Sequence, residues 1–173
     1  MAVLANGFAA RGLRVDLVLA KADGPYLSEV SKAVHVIDLG KRRVLASLAP
    51  LARYLRRERP DAMLSALNHA NVIAILARML AQVDLPLAVS ERNSVSRMSK
   101  GMAGWITWLL MRRLYRCADR VVCVSRGIEE ELAVGFGLAG DQLCTIYNPL
   151  DVDGIRQRIT PLPDHPWFGE GQP

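Results

Sequence analysis

The sequence predicts a doubly wound α/β domain, with a mostly parallel sheet and helices on both faces. Three observations carry that expectation. Short apolar runs alternate with segments of helical period along the whole chain. The runs are continuously apolar, as strands buried on both faces are, rather than alternating apolar and polar. Two of them end in bursts of polar and ionisable residues, Asn68-His69 and Ser90-Glu91-Arg92-Asn93, and open parallel sheets collect ligands at the carboxyl ends of their strands. With 173 residues, 51% of them apolar, the chain is long enough to bury a real core as one domain.

The elements follow in order. Ala2 to Arg11 reads as a helix, with Gly12 where a left-handed cap is wanted. Val15 to Ala20 and Val34 to Leu39 are strands, the first closed by the Asp23-Gly24-Pro25 turn. Val44, Leu45, Leu48, Leu51, Ala52 and Leu55 recur at helical spacing, with Arg53, Arg56, Arg57 and Glu58 on the other face. Pro50 inside that pattern should kink the helix or delay its start. Ala62 to Leu67 is a strand, and Ala70 to Leu80 is an apolar helix broken only by Asn71 and Arg78. Leu87 to Ser90 is a strand, Trp105 to Arg116 a helix, Arg120 to Ser125 a strand, Ile128 to Phe136 a helix and Leu143 to Tyr147 a last strand. The proline- and glycine-rich residues 160–173 read as a linker, which assigns the domain to residues 1–159. A doubly wound domain ordinarily opens with a central strand, whereas this chain opens with the helix that should follow it. The strands at Val15 and Ala62 are therefore expected to face each other across a gap or to close up in a changed register.

The candidate functional residues sit at the strand ends. Asn68, His69, Ser90, Glu91, Arg92 and Asn93 are expected to line a cleft, with an N-cap role for Asn68 and a surface ion pair between Glu91 and Arg92 as the plainer alternatives. Ser125 precedes a helix rich in acids, where it serves as a cap or touches a phosphate. Lys100, Trp105, Trp108, Arg112, Arg113 and Arg116 make a basic, tryptophan-bearing stretch that would suit an anionic membrane surface, or would be an ordinary helix with its apolar stripe in the core. The net charge of +5, supplied far more by Arg than by Lys, favours anionic partners. Basic residues are not interleaved with stacking aromatics, which argues against nucleic acid. Cys117, Cys123 and Cys144 have no metal-ligand spacing and read as buried, inert thiols in a reducing compartment. No secretory signal opens the chain, and no apolar run approaches the roughly 18–20 residues of a membrane span. Glycine-rich nucleotide loops, a nucleophile elbow and zinc spacings are absent from the sequence.

Six segments in this order resemble the N-terminal domain of the GT4 family of glycosyltransferases, truncated at both ends. They are residues 4–15 (Leu4-Ala5-Asn6-Gly7 to Val15), Arg59-Pro60-Asp61, Ser65-Ala66-Leu67-Asn68-His69, Val89-Ser90-Glu91-Arg92-Asn93, residues 118–125 and Ile146-Tyr147-Asn148-Pro149. The resemblance implies the first of two Rossmann-like halves of a GT-B enzyme, with the nucleotide sugar gripped by a C-terminal domain. It implies retaining, metal-independent transfer of a hexose-type sugar, without a cofactor, to a glycan or lipid-linked acceptor. Polysaccharide or cell-envelope glycan synthesis, on the cytoplasmic side and peripheral to the inner face of the membrane, is the setting expected, with this chain alone inactive. Within it, His69 matches a polar strand-end position, and Arg92 stands where many members carry histidine. Arginine cannot act as a base near neutral pH, but it can hold an acceptor or a donor phosphate as a fixed cation. A nucleotide-sugar 2-epimerase of the same architecture, or a non-catalytic binding domain, are the alternatives.

Overall fold

The computed structural model describes residues 1–94, 102–150 and 152–158. The expected elements are present with shifted ends: α1 (Ala2–Ala10), β1 (Val15–Leu19), β2 (Val34–Asp38), α2 (Leu48–Glu58), β3 (Met63–Ala66), α3 (Asn68–Ala81), β4 (Leu87–Glu91), α4 (Met102–Leu114), β5 (Arg120–Cys123), α5 (Arg126–Phe136) and β6 (Leu143–Thr145), and a further helix, α6 (Val152–Arg158), follows them. Local chemistry explains the boundaries. Gly12, at φ 82°, turns the chain out of α1. Pro50 lies in the first turn of α2, after a short tight helical turn at Val44–Ser47, so the regular helix starts late rather than kinking. Ser125 caps α5, its hydroxyl accepting the Ile128 N–H at 3.4 Å, and Gly137 closes that helix at φ 62°. The expected linker at residues 160–173 and Lys100 lie outside the described residues.

Among the described residues all strand pairs are parallel, but the sheet is in two pieces. β1 pairs with β2, and β3-β4-β5-β6 form the second piece in that order. Helices flank both pieces. The main core joins Ile75, Leu87, Val89, Met111, Tyr115, Val121, Cys123, Leu132 and Phe136, all essentially inaccessible. A second cluster lies under α2, where Ala52, Tyr54 and Leu55 meet Val18 of β1, Ile37 of β2, Met63 of β3 and Ala77 of α3. One helix therefore serves both pieces of sheet. The Tyr54 hydroxyl donates to Asp16 of β1, and burial beside that carboxylate raises the phenol's pKa.

Arg78, one of the two polar interruptions of α3, has a structural task. Its guanidinium donates to the Leu85 carbonyl at 2.9 Å, to the Cys117 carbonyl and to the Asp119 carboxylate. Asp119 also accepts the Leu87 N–H at 2.8 Å, and that bond, with Arg78 beside it, holds its pKa below the ordinary value. Arg78 thus ties the C-terminal end of α3 to the starts of β4 and β5. Replacing Arg78 with Ala should lower the unfolding free energy by about 2 kcal/mol, the scale of lost hydrogen bonds to a charged donor. Urea unfolding monitored by circular dichroism measures it, and an unchanged midpoint would remove Arg78 from this account.

Candidate functional site

β3 and β4 lie side by side, with Ala66 opposite Ser90, so their polar ends emerge together. After Ala66 the chain turns sharply at Leu67, which holds φ 81° although it has a side chain. Such a conformation is costly for a non-glycine residue and persists only where its surroundings enforce it. The turn starts α3 at Asn68, so Leu67 rather than Asn68 occupies the capping position.

The six residues expected to line a cleft separate into two sets. Asn68, Ser90 and Glu91 are buried, whereas His69 and Asn93 are exposed and Arg92 is half-buried. Glu91 corrects the expectation most sharply. Its carboxylate faces no cleft and forms no pair with Arg92; it is 0% exposed beneath the rim. Oε1 accepts the backbone N–H of Arg92 at 3.1 Å and that of Asn93 at 3.2 Å, and Oε2 accepts the Tyr115 hydroxyl at 2.8 Å. Tyr115 in turn accepts from Asn71 Nδ2 at 3.0 Å, and the same amide donates to the Ser90 carbonyl at 3.0 Å. Desolvation raises the Glu91 pKa, with the Tyr115 hydroxyl and the two backbone amides opposing it. Burial raises the Tyr115 phenol as well, and the Glu91 charge adds to that. Asn71 Oδ1 is buried without a hydrogen-bond partner among the described residues.

Above this network stands Arg92. Its guanidinium donates to the side-chain oxygen of Asn148, which follows β6, and lies 3.6 Å from the Met1 sulfur. His69 is close enough to Glu91 to act on it electrostatically. The rim thus brings Asn148 to Arg92 and Asn93, and His69 is exposed in the first turn of α3. Ser125 is occupied as a helix cap. Beyond it, Thr145 donates to Glu129, and Ser94 donates to Glu131 at 2.8 Å, so the α5 side of the rim carries acids and the Arg92 side a cation. A cavity of about 460 Å³ lies at the opposite end, among Leu55, Arg59, Asp61, Gln82 and Leu85. That is where the strands begin, away from the rim.

The tryptophans also separate. Trp108 packs edge-on against Phe136, ring centroids 5.8 Å apart, with the Arg112 guanidinium 5.4 Å from its own ring centroid. Trp105 is 54% exposed and shares an outward face with Met102, Ile106 and Leu110. The two tryptophans are therefore not equivalent: Trp108 is half-buried against the core and Trp105 is exposed. Arg116 donates to the Phe136 carbonyl at 3.1 Å, and Arg113 is exposed. Of the cysteines, Cys123 is buried, its thiol pushed up to about 12, while Cys117 is exposed, against the expectation of burial. No cluster of metal-ligating side chains occurs among the described residues, and no helix among them is long and apolar enough to cross a membrane.

The sequence pattern did not single out Tyr115 or the partnership of Asn148 with Arg92. Asn71 left a trace, a polar residue interrupting an apolar helix. The family model of Glycosyltransferase Family 4 matches residues 1–153. No curated protein matches the sequence.

The Glu91 network has a pH signature. Because its folded pKa is raised, Glu91's contribution to stability is complete below the ordinary carboxylate value of 4.5 and falls as pH rises toward the folded value. Glu91→Gln should remove that decline, so its stability relative to the parent should increase from acid toward neutral pH. Tyr115→Phe should instead destabilise at every pH by about 1–3 kcal/mol, since it leaves buried polar groups short of a partner. Denaturation series across pH check both, and a parallel pair of curves for Glu91→Gln and the parent would refute the buried carboxylate.

Proposed function

We propose that this chain, which belongs to glycosyltransferase family 4, forms the acceptor side of a sugar-transfer site, with Arg92 as the fixed cation that holds an acceptor or donor phosphate. The observation that carries the reading is the support given to Arg92. Its backbone N–H is held by Glu91 and its guanidinium by Asn148, at the carboxyl end of a strand that lies parallel and adjacent to the one preceding His69. A guanidinium placed before the ligand arrives loses less freedom on binding, and its planar fork suits phosphate oxygens. His69 and Asn93 supply exposed polar groups for acceptor hydroxyls. In this reading the nucleotide sugar is held mainly by a second domain, the acceptor is a glycan or lipid-linked glycan, and neither metal nor cofactor takes part. The setting is polysaccharide or cell-envelope glycan synthesis on the cytoplasmic side of the membrane.

The α4 face gives that reading a membrane component. Met102, Trp105, Ile106 and Leu110 are exposed together, and Arg113 lies exposed in the last turn. Apolar residues with a tryptophan and flanking arginines suit the headgroup region of an anionic leaflet, which would bring a lipid-linked acceptor to the rim.

Isothermal titration of the chain with inorganic pyrophosphate should show binding, and Arg92→Ala should weaken it about tenfold, or about 1.4 kcal/mol, without shifting the melting temperature. Equal binding by the variant would remove Arg92 from the site. Cosedimentation with phosphatidylglycerol vesicles should weaken with added salt and with Trp105→Ala. Trp108→Ala should show its main effect as lost thermal stability. Binding indifferent to salt and to Trp105 would return α4 to a purely structural role.

A further inference from the structure

We infer that the cavity where the strands begin is a second binding site, for a small zwitterion with an apolar body, of amino-acid or dipeptide chemistry. It lies at the far end of the sheet from Arg92 and is independent of the sugar-transfer site. Its volume of about 460 Å³ is that of a small-molecule pocket. Four segments wall it. They are the exit of α2 at Arg59, the entry to β3 at Pro60-Asp61, the exit of α3 at Gln82 and the entry to β4 at Val83-Asp84-Leu85.

These walls are fastened to one another. Arg56 of α2 donates to the Ala81 carbonyl at 3.2 Å and to the Leu80 carbonyl, which ties α2 to the end of α3. Arg78 of α3 donates to the Leu85 carbonyl at 2.9 Å, and the Met63 N–H donates to the Pro86 carbonyl at 2.9 Å, joining the two strand entries. A pocket braced in this way is formed before its ligand arrives, so binding carries little cost of ordering.

The charges in the lining assign the ligand. Their charged neighbours are engaged: Arg14 and Arg57 with Glu58, Arg56 with the carbonyls that end α3, and Arg78 with Asp119. Arg59, Asp61 and Asp84 also line the cavity and are exposed, yet they make no ion pair or side-chain hydrogen bond among the described residues. A guanidinium and two carboxylates that share a cavity without pairing are open to a ligand carrying both signs. Its carboxylate meets Arg59, whose planar fork matches it, and its ammonium meets Asp61 and Asp84. The end of α2, which Pro60 cannot extend, adds the negative end of the helix dipole to the ammonium's side. Leu55 and Leu85, both buried, and half-buried Val83 supply the apolar surface for the ligand's body.

Arg59 itself offers a clean variant. It holds φ 44°, a conformation that glycine adopts more freely, so Arg59→Gly removes the guanidinium without straining the turn. Calorimetric titration and amide-shift mapping of the 173-residue chain with L-leucine and L-leucyl-L-leucine test the site. At least one of the two should bind saturably and shift the Arg59, Asp61, Gln82, Val83 and Asp84 amides, leaving Arg92 and Asn93 unmoved. Arg59→Gly and Asp84→Asn should each weaken that binding at least about tenfold, the scale of one lost hydrogen bond between charged groups, with the melting temperature of Arg59→Gly no lower than the parent's. N-acetyl-leucinamide, which keeps the apolar body and loses both charges, and isopentylamine, which keeps only the ammonium, should also bind at least about tenfold more weakly. No binding of either zwitterion at millimolar concentration, equal binding of the uncharged amide or the amine, or full binding by a stable Arg59→Gly chain would each overturn the proposal.

Discussion

Glu91 is the residue on which the architecture of the rim depends. A carboxylate with no solvent contact is costly to bury, and it is tolerated here because each oxygen is occupied, Oε1 by two backbone amides and Oε2 by the Tyr115 hydroxyl. Those three bonds come from different parts of the chain. The amides fix the path of Arg92 and Asn93 as they leave β4, and Tyr115 belongs to the tight turn that ends α4. Through Tyr115 the network reaches Asn71 on α3 and returns to β4 at the Ser90 carbonyl. One buried charge thus sets the distance between α3, α4 and the strand whose end presents Arg92.

The arrangement divides labour between side chains that look alike in sequence. Glu91 and Arg92 are neighbours of opposite charge, yet they do not pair: one is held below the sheet's edge and the other stands above it. Pairing them at the surface would have contributed little and would have neutralised the rim's cation. Two of the three acids on α5 are occupied similarly by hydroxyls, with Ser94 on Glu131 and Thr145 on Glu129. The rim therefore keeps a positive side at Arg92 and a negative side at α5.

Much of the fold was legible because it rests on local rules. Continuous apolar runs marked the strands, Gly12 and Gly137 marked helix ends, and Ser125 before three glutamates marked a helix start. The gathering of polar side chains at the strand ends was legible, but their depth was not. A Ser-Glu-Arg-Asn run says that polar groups gather at a strand end; which of them turns down is decided by Tyr115, which is 24 residues further on. The same holds for the tryptophans. Helical spacing places Trp105 and Trp108 near one another, but only the position of Phe136 on α5 decides which ring packs against the core.

The central claim is that a buried carboxylate holds the turn that presents Arg92. Carbon-detected NMR titration of the Glu91 side chain in the intact domain tests it directly. The account predicts a carboxyl that titrates above the ordinary glutamate value of 4.5, with the Arg92 and Asn93 amide resonances moving along the same curve. A Glu91 that titrates at the ordinary value, with those amides unmoved, would contradict it.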